Sequence, residues 1–186
     1  MEAKAYGRDE RTVTMTGRSK APPEVVFDLL ADLRSHLEWA GKRQYKMFHL
    51  LSVDAGPEPA EVGSVFTSTG NIPMTPASKG HWENTTTVTK AVRPSLFETR
   101  TEGRIPWSKG VAGEGTFDNR FEITPDGTGS RVVYRAHQLR FLNPPWGLRY
   151  PLMREVTYRM WIPAWYRKGF KNMLRMAEER ARTTAR

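Results

Sequence analysis

Six strand-like segments follow one another between residues 45 and 142, and no helical pattern interrupts them. Each is rich in β-branched or aromatic residues and is bounded by Pro, Gly, Asp or Asn clusters, the pattern of short strands joined by turns. Consecutive strands usually pair with each other, so the segments predict an antiparallel meander. They are YKMFHLLSVD, VGSVFTSTGNI, GHWENTTTVTKAV, SLFETRTEG, GTFDNRFEITP and SRVVYRAHQLRFL.

A further strand and two short helical pieces precede the meander. Residues 11–19, RTVTMTGRS, alternate threonine with other residues and predict a half-buried strand. Ser19 is the expected cap of the following helix, whose first turn suits Pro22 and Pro23, and Gly41 is expected to end the second piece. The apolar residues at helical spacing are Val26, Leu29, Leu30 and Leu33.

The chain ends in an amphipathic helical pattern that starts at about Leu148. Pro163 should kink this helix or begin its main segment, because proline removes a backbone donor and crowds the preceding turn. One stripe of the helix contains Tyr166, Phe170, Met173 and Ala177. A twisted antiparallel sheet must cover one face, and a long terminal helix can do so while leaving space beneath it. The element order therefore predicts an α+β fold.

Composition excludes several classes of function. The sequence of 186 residues has no cysteine, which excludes disulfides, thiolate catalysis and cysteine metal sites. Its formal net charge of +9 would attract anionic surfaces weakly. No apolar run is long enough for a signal-peptide core or a membrane span, so we expect a soluble, cytoplasmic protein.

Four segments resemble the START-related (SRPBCC) helix-grip superfamily, in particular its polyketide cyclase/dehydrase and lipid-transport group. They are APPEVVFDLLADLRSHLEWAG, VGSVF, GTFDNRFEITPDGTGSRVVYR and RKGFKNMLRMAEERA. The resemblance implies a strongly twisted seven-stranded antiparallel sheet wrapped around a long C-terminal helix, with two short helices between strands 1 and 2. It also implies one ligand-binding domain over residues 11–182, after a flexible N-terminus at residues 1–10. Relatives use an apolar cavity for lipids, sterols, hormones or polyketides; some are enzymes and many only bind.

The hairpin at residues 116–138 places polar side chains among the inward candidates. Period-two alternation puts Asn119 on the same strand face as Phe117 and Phe121, with Tyr134 and Gln138 on the matching face of the next strand. A buried amide without a partner costs about 1–3 kcal/mol, so a wet cavity would suit these residues. The alternative is that Asn119 bonds backbone at a bulge and that Tyr134 fills the core with its hydroxyl at the surface.

Twelve residues are candidates for the wall of a ligand-binding cavity. Each of the aromatic ones is more often ordinary core than a ligand contact, and only their collective placement favours a pocket of mostly apolar groups with a few polar ones. The candidates are Trp39, Tyr45, Phe66, Trp82, Thr86, Phe97, Asn119, Phe121, Tyr134, Gln138, Tyr166 and Phe170.

A catalytic signature is missing from the sequence. Histidines 36, 49, 81 and 137 lack metal-binding spacing, and His137 is expected to point outward, so we expect no metal and no cofactor. GEGTF is not a dinucleotide fingerprint, and no serine nucleophile elbow is present. By resemblance to cyclases, Tyr134 is a candidate proton donor, with Trp82 or Trp39 as a platform for a polyketone.

Residues 146–168 support a competing hypothesis. Aromatic and basic residues alternate there, which is typical of surfaces that contact anionic membranes, although the aromatics could instead close the cavity beside a solvated basic face. No nucleic-acid recognition motif accompanies the basic charge. Three functions follow as hypotheses: binding of a hydrophobic small molecule, a polyketide cyclase or dehydratase, and a membrane-docking lipid carrier.

Overall fold

A computed structural model describes residues 11–42, 49–56, 59–75, 78–108, 111–142 and 150–184 of the chain. Its centre is one seven-stranded antiparallel sheet in the order β1-β7-β6-β5-β4-β3-β2. The strands are β1 (Arg11–Ser19), β2 (His49–Ala55), β3 (Val65–Thr75), β4 (Ser78–Val92), β5 (Leu96–Ser108), β6 (Val111–Asp126) and β7 (Gly129–Leu142). Each strand from β2 to β6 pairs with the strand that follows it in sequence, and β1 pairs with β7 at the edge of the sheet. The predicted meander and the α+β helix-grip fold are confirmed.

The β6–β7 hairpin turns at Gly127, whose φ of 63° lies in the left-handed region that glycine adopts without strain. In this hairpin Phe121 lies opposite Tyr134, and Asn119 lies opposite Ala136. This register turns one set of alternating side chains toward the helices and the other set outward. The outward set forms ion pairs between Arg100 and Asp118, Arg120 and Glu98, Arg120 and Glu122, and Arg135 and Glu122. We call the face of the sheet that is turned toward the helices the inner face.

Three short helical segments connect β1 to β2: α1 (Pro23–Ala31), a 3₁₀ turn (Leu33–Ser35) and a π-helical segment (Leu37–Lys42). The expectation that Ser19 caps α1 is wrong. Pro22 occupies the cap position and offers no side-chain acceptor. Ser19 Oγ instead accepts a hydrogen bond from the Ala21 N–H at 3.2 Å and donates one to the Leu174 carbonyl at 3.4 Å. The Ser19 hydroxyl therefore forms hydrogen bonds with the backbone of its own turn and with the backbone of the C-terminal helix. The π-helical segment ends at Lys42, one residue beyond the predicted Gly41.

The C-terminal region is helical from residue 151 to residue 184. It comprises α2 (Pro151–Val156), a π-helical segment (Thr157–Trp161) and the long helix α3 (Ile162–Thr184). The main segment begins at Ile162, one residue before Pro163. This agrees with the prediction that Pro163 either kinks the helix or begins its main segment. The predicted apolar stripe is also present, with Phe170, Met173 and Ala177 buried and Tyr166 packed against the core. No helix formed by the described residues is long and apolar enough to cross a membrane.

The hydrophobic core lies between the inner face, α1 and α3. Val26 and Leu29 of α1, Val132 of β7 and Met173 of α3 have no measurable exposure. Helix α3 crosses β1 at Gly17, where an added Cβ would lie 2.5 Å from Leu174 Cδ1. A side chain at that position would hold helix and sheet apart, so glycine sets how closely α3 approaches this edge of the sheet.

Candidate functional site

A cavity of about 480 Å³ lies between the inner face of the sheet and the helices. Residues from all seven strands form its floor, and residues of α1, of the π-helical segments and of α3 form the opposite wall. Its lining is mostly apolar and aromatic, which is usual for a small-molecule site.

Eleven of the twelve wall residues expected from the sequence line this cavity. They are Trp39, Phe66, Trp82, Thr86, Phe97, Asn119, Phe121, Tyr134, Gln138, Tyr166 and Phe170. Tyr45 lies outside the described residues.

Tyr134 is the centre of an aromatic cluster at one end of the cavity. Its ring stacks on Phe121, with centroids 4.3 Å apart and planes inclined by 7°. Phe170 of α3 packs against the ring with its centroid 5.8 Å away, and Tyr166 meets the ring edge-on at 6.0 Å. Only 6% of Tyr134 is exposed. Neighbours from two elements, β6 and α3, therefore fix the position of the phenol.

The Tyr134 hydroxyl donates a hydrogen bond to Asn119 Oδ1 at 2.7 Å. The alternative that placed this hydroxyl at the surface and bonded Asn119 to backbone is therefore wrong: the two polar groups satisfy each other. Burial, and to a lesser degree the nearby Tyr166, raise the pKa of Tyr134 well above its ordinary value of 10.0. The phenol is thus a neutral donor near pH 7. The Asn119 amide nitrogen has no hydrogen-bond partner among the described residues, so its N–H groups are available within the cavity.

A row of small polar side chains crosses the floor of the cavity; we call it the polar belt. Its members are Ser68, Asn84, Thr86, Thr99, Thr101 and Asn119. Neighbouring members lie opposite each other across the ladders, and Thr86 Oγ1 and Thr101 Oγ1 are 2.9 Å apart. Gly103 makes room for one of them, because an added Cβ there would lie 2.5 Å from Asn84 Oδ1.

Sequence reasoning identified only Thr86 and Asn119 from the polar belt. The same period-two alternation could have identified three of the other members. Asn84 lies two residues before Thr86 on β4, and Thr99 and Thr101 are two residues apart on β5. Threonine is common on solvent-facing strand surfaces, so its identity alone does not indicate an inward position.

His36 also lines the cavity and was not identified from the sequence. Its ring lies 4.4 Å from Trp39 and 5.4 Å from Phe66, between centroids, and it lines the cavity. Burial lowers the pKa of His36 from 6.5 to about 4, because the charged imidazolium is poorly solvated among aromatic rings. The imidazole is therefore neutral near pH 7. His137, by contrast, does not line the cavity, as expected of an outward position.

Arg11, Gln138, Thr157 and Arg159 form a polar end of the cavity. The cavity reaches the surface here, because the Arg159 side chain lines it and is 80% exposed. Glu155 accepts a hydrogen bond from Arg11 at 2.5 Å and another from Arg159 at 3.1 Å. The hydrogen bond from Arg11 is the largest cause of the lowered pKa of Glu155, followed by the charges of Arg11 and Arg159, so this carboxyl is ionised near pH 7.

Within the part of the chain that the structure describes, no group of three His, Asp or Glu side chains is placed to hold a metal ion. The chemistry that the described residues offer is hydrogen bonding from neutral amide, hydroxyl and phenol groups, together with the two guanidinium groups at the polar end.

Solved structures of bacterial proteins share this fold. An NMR structure of a protein from Arthrobacter aurescens matches with a TM-score of 0.60 and 11% identity over 96% of this chain and 91% of that one. A protein of uncharacterised function from Rhizobium leguminosarum matches with a TM-score of 0.59 and 12% identity over 96% and 97% of the two chains. A crystal structure from Chromobacterium violaceum matches with a TM-score of 0.55 and 15% identity over 90% and 97%. At these identities the likeness concerns the fold alone.

A search of curated proteins finds no match to the sequence. The model of the family described as "Polyketide cyclase / dehydrase and lipid transport" matches residues 10–178, nearly the whole chain. The match includes every strand and most of α3. Together with the seven-stranded sheet and its covering C-terminal helix, it shows that the chain belongs to the polyketide cyclase/dehydrase and lipid transport family of the SRPBCC superfamily.

Proposed function

We propose that the protein binds a hydrophobic small molecule, such as a lipid or a polyketide, in the cavity between the sheet and α3. The observation that supports this best is the lining itself: aromatic walls around about 480 Å³ of space, with a polar belt across the floor. Drug-sized ligands occupy cavities of roughly 300–1,000 Å³ that are apolar with a few placed polar groups. The Asn119 amide and the belt hydroxyls would orient a ligand that contains oxygen.

Native mass spectrometry of the freshly purified protein tests the proposal directly, through the mass of a co-purified ligand. A binding assay with the fluorescent probe pyrenebutanol supplies a second test. Ala136 lies on the cavity floor, so Ala136→Trp should fill part of the space and abolish probe binding. Val133 lies on the outward face of the same strand, and Val133→Trp is the matched control. Equal binding by both folded variants would place the probe elsewhere and contradict the proposal.

A cyclase or dehydratase acting in the same cavity is the alternative. It is supported by the Asn119 amide, whose N–H groups can donate hydrogen bonds toward a substrate carbonyl, and by the neutral Tyr134 phenol, which donates to the oxygen of the same carboxamide. The two hypotheses differ in whether these donors are needed for turnover or only for orientation.

A membrane-docking lipid carrier is a further candidate, and exposed apolar side chains beside the cavity's polar end support it. Leu152 of α2 is 76% exposed and Met160 of the following π-helical segment is 63% exposed. Arg159 lies next to Met160, so apolar and basic groups share this surface. Such a combination suits an anionic bilayer, into which the apolar side chains insert while the arginine pairs with headgroups.

Vesicles of phosphatidylcholine with and without phosphatidylglycerol test this candidate. We expect binding to the anionic vesicles that weakens with added salt and with the double change of Leu152→Ser and Met160→Ser. Leu51→Ser changes an exposed leucine on β2 and is the control. No binding at low salt would exclude membrane docking and leave cavity binding unaffected. A cytoplasmic location and the lack of a specific nucleic-acid partner stay predictions.

A further inference from the structure

The charge on the cavity lining has a single sign. Among the described residues that line it, the side chains charged near pH 7 are Arg11 and Arg159, and no aspartate or glutamate lines it. His36 is neutral there. Both guanidiniums lie at the polar end, whereas the rest of the wall is aromatic, aliphatic, hydroxyl or amide. The cavity is therefore an apolar chamber with a cationic end.

A carboxylate already lies between the two arginines. Arg11 Nη2 donates to Glu155 Oε1 at 2.5 Å, and Arg159 Nε donates to Glu155 Oε2 at 3.1 Å. Each oxygen of one carboxylate thus bonds a different guanidinium. Glu155 itself does not line the cavity. The geometry shows that the two arginines can hold a carboxylate between them.

The surroundings add neutral polar groups to this end. Gln138 lies directly opposite Arg11 in the β1–β7 ladder, and both residues line the cavity. Thr157 lines it two residues before Arg159. An anion placed here would meet charge-assisted donors from the arginines with amide and hydroxyl groups nearby, the kind of site that recognises carboxylates strongly.

We propose that the natural ligand bears a carboxylate, which binds Arg11 and Arg159 at the polar end while the apolar body of the ligand fills the chamber. This inference rests on the proposed function, since it specifies the chemistry of the cavity's ligand. The ligand carboxylate takes the hydrogen bonds that Glu155 accepts from the two arginines, or joins Glu155 beside them. A neutral ligand of the same shape gains the apolar contacts but not these bonds.

The test compares pyrenebutanoic acid with pyrenebutanol, which share one apolar body and differ in the carboxylate. Fluorescence titration of the full chain should give an affinity about tenfold higher for the acid, because hydrogen bonds to charged groups are the stronger class. Arg11→Gln should remove most of that preference, and Arg159→Gln should reduce it about threefold, less because Arg159 is largely exposed. Both changes should lower the affinity for the alcohol less than the affinity for the acid.

Two further variants sharpen the result. Arg167 is exposed on α3 and does not line the cavity, so Arg167→Gln removes the same charge and should leave the acid preference intact. Glu155→Gln removes the competing carboxylate and should raise the affinity for the acid alone. Equal wild-type affinities for acid and alcohol, or equal effects of Arg11→Gln and Arg167→Gln, would overturn the inference while cavity binding stands. Binding of neither probe would count against the proposed function as well.

Discussion

The Tyr134 hydroxyl and the Asn119 carboxamide meet at 2.7 Å across two neighbouring strands of the inner face. They are not direct cross-strand partners, because Tyr134 lies opposite Phe121 and Asn119 opposite Ala136. The phenol reaches diagonally to Asn119 while its ring stacks on Phe121. One hydrogen bond thus satisfies two polar groups beside the apolar core and leaves the Asn119 N–H groups facing the cavity.

Variants that remove this hydrogen bond distinguish the hypothesis of ligand binding from the hypothesis of catalysis. Tyr134→Phe leaves Asn119 Oδ1 without its donor, and we expect a loss of about 1 kcal/mol in the free energy of unfolding. Pyrenebutanol affinity should stay within about threefold for Tyr134→Phe and for Asn119→Leu, because the apolar walls supply most of the binding energy. If the protein is a cyclase, both variants should lose turnover of a polyketone substrate by about 10²-fold or more.

Urea unfolding and fluorescence titration of the purified variants measure the first two effects, and product formation measures the third. Unchanged turnover in both variants would rule out a catalytic part for this pair. Loss of pyrenebutanol binding in both, with folding intact, would show that the pair is essential for retention and not only for orientation.

Alkaline pH should destabilise the protein through Tyr134. Its folded-state pKa is raised above the ordinary value of 10.0, so the folded protein holds the phenol proton more tightly than the unfolded chain does. The stabilisation is complete below the unfolded-state pKa and is lost as pH rises toward the folded-state value. Tyr134→Phe lacks this group, so its stability should decline less steeply above about pH 10.

NMR of protein with isotope-labelled tyrosine follows the ionisation of individual rings, and the Tyr134→Phe spectrum assigns the signal. Ionisation of Tyr134 near its ordinary pKa of 10.0 in the folded protein would contradict the expectation.

The fold could be predicted from the sequence because period and order are local signals. Alternation in β6 and β7 identified the inward faces, and the stripe on α3 identified its buried side. The polar end of the cavity could not be predicted in this way. Arg11 and Arg159 are 148 positions apart and meet at Glu155 only after β1 and the C-terminal helical region have packed. The prediction that Ser19 caps α1 was wrong for a similar reason. The Ser19 hydroxyl donates its hydrogen bond to the carbonyl of Leu174, which is far away in the sequence.

Mild acid should destabilise the protein through His36. Burial lowers its pKa from 6.5 to about 4, so between these values the unfolded chain binds a proton that the folded protein does not. This contribution to stability is complete above about pH 6.5 and is lost as pH falls toward 4. From pH 7 to pH 5 the expected loss is about 2 kcal/mol, an upper bound because the ring borders a cavity that can hold water.

Urea unfolding at both pH values measures this loss, and His36→Phe should make the stability nearly independent of pH in that interval. The carboxyls of Glu122 and Glu155 have lowered pKa values, so their own contributions are lost only below about pH 4.5 and do not overlap with the interval. A wild-type stability that is flat from pH 7 to pH 5 would show that His36 is solvated in the folded protein.

Alanine substitutions at Gly17 and Gly169 should act in opposite directions, although both glycines lie where α3 packs. At Gly17 an added Cβ would lie 2.5 Å from Leu174 Cδ1 and 2.9 Å from Phe170 Cε1. The leucine methyl can rotate away, but the phenylalanine ring is held by its stack against Tyr134. We therefore expect Gly17→Ala to lower the free energy of unfolding by about 1–2 kcal/mol through overpacking.

At Gly169 the nearest atoms to an added Cβ are Trp39 Cε3 and Cζ3 at 4.0 Å, an ordinary van der Waals distance. Glycine inside a helix is less favourable than alanine by about 0.5–1 kcal/mol, so Gly169→Ala should stabilise the protein by about that amount. Urea unfolding of the two variants decides both expectations. Stabilisation by Gly17→Ala would mean that β1 and α3 are farther apart in solution than here. Destabilisation by Gly169→Ala would mean that Trp39 presses on α3 more closely than 4.0 Å, and the cavity would be narrower on that side.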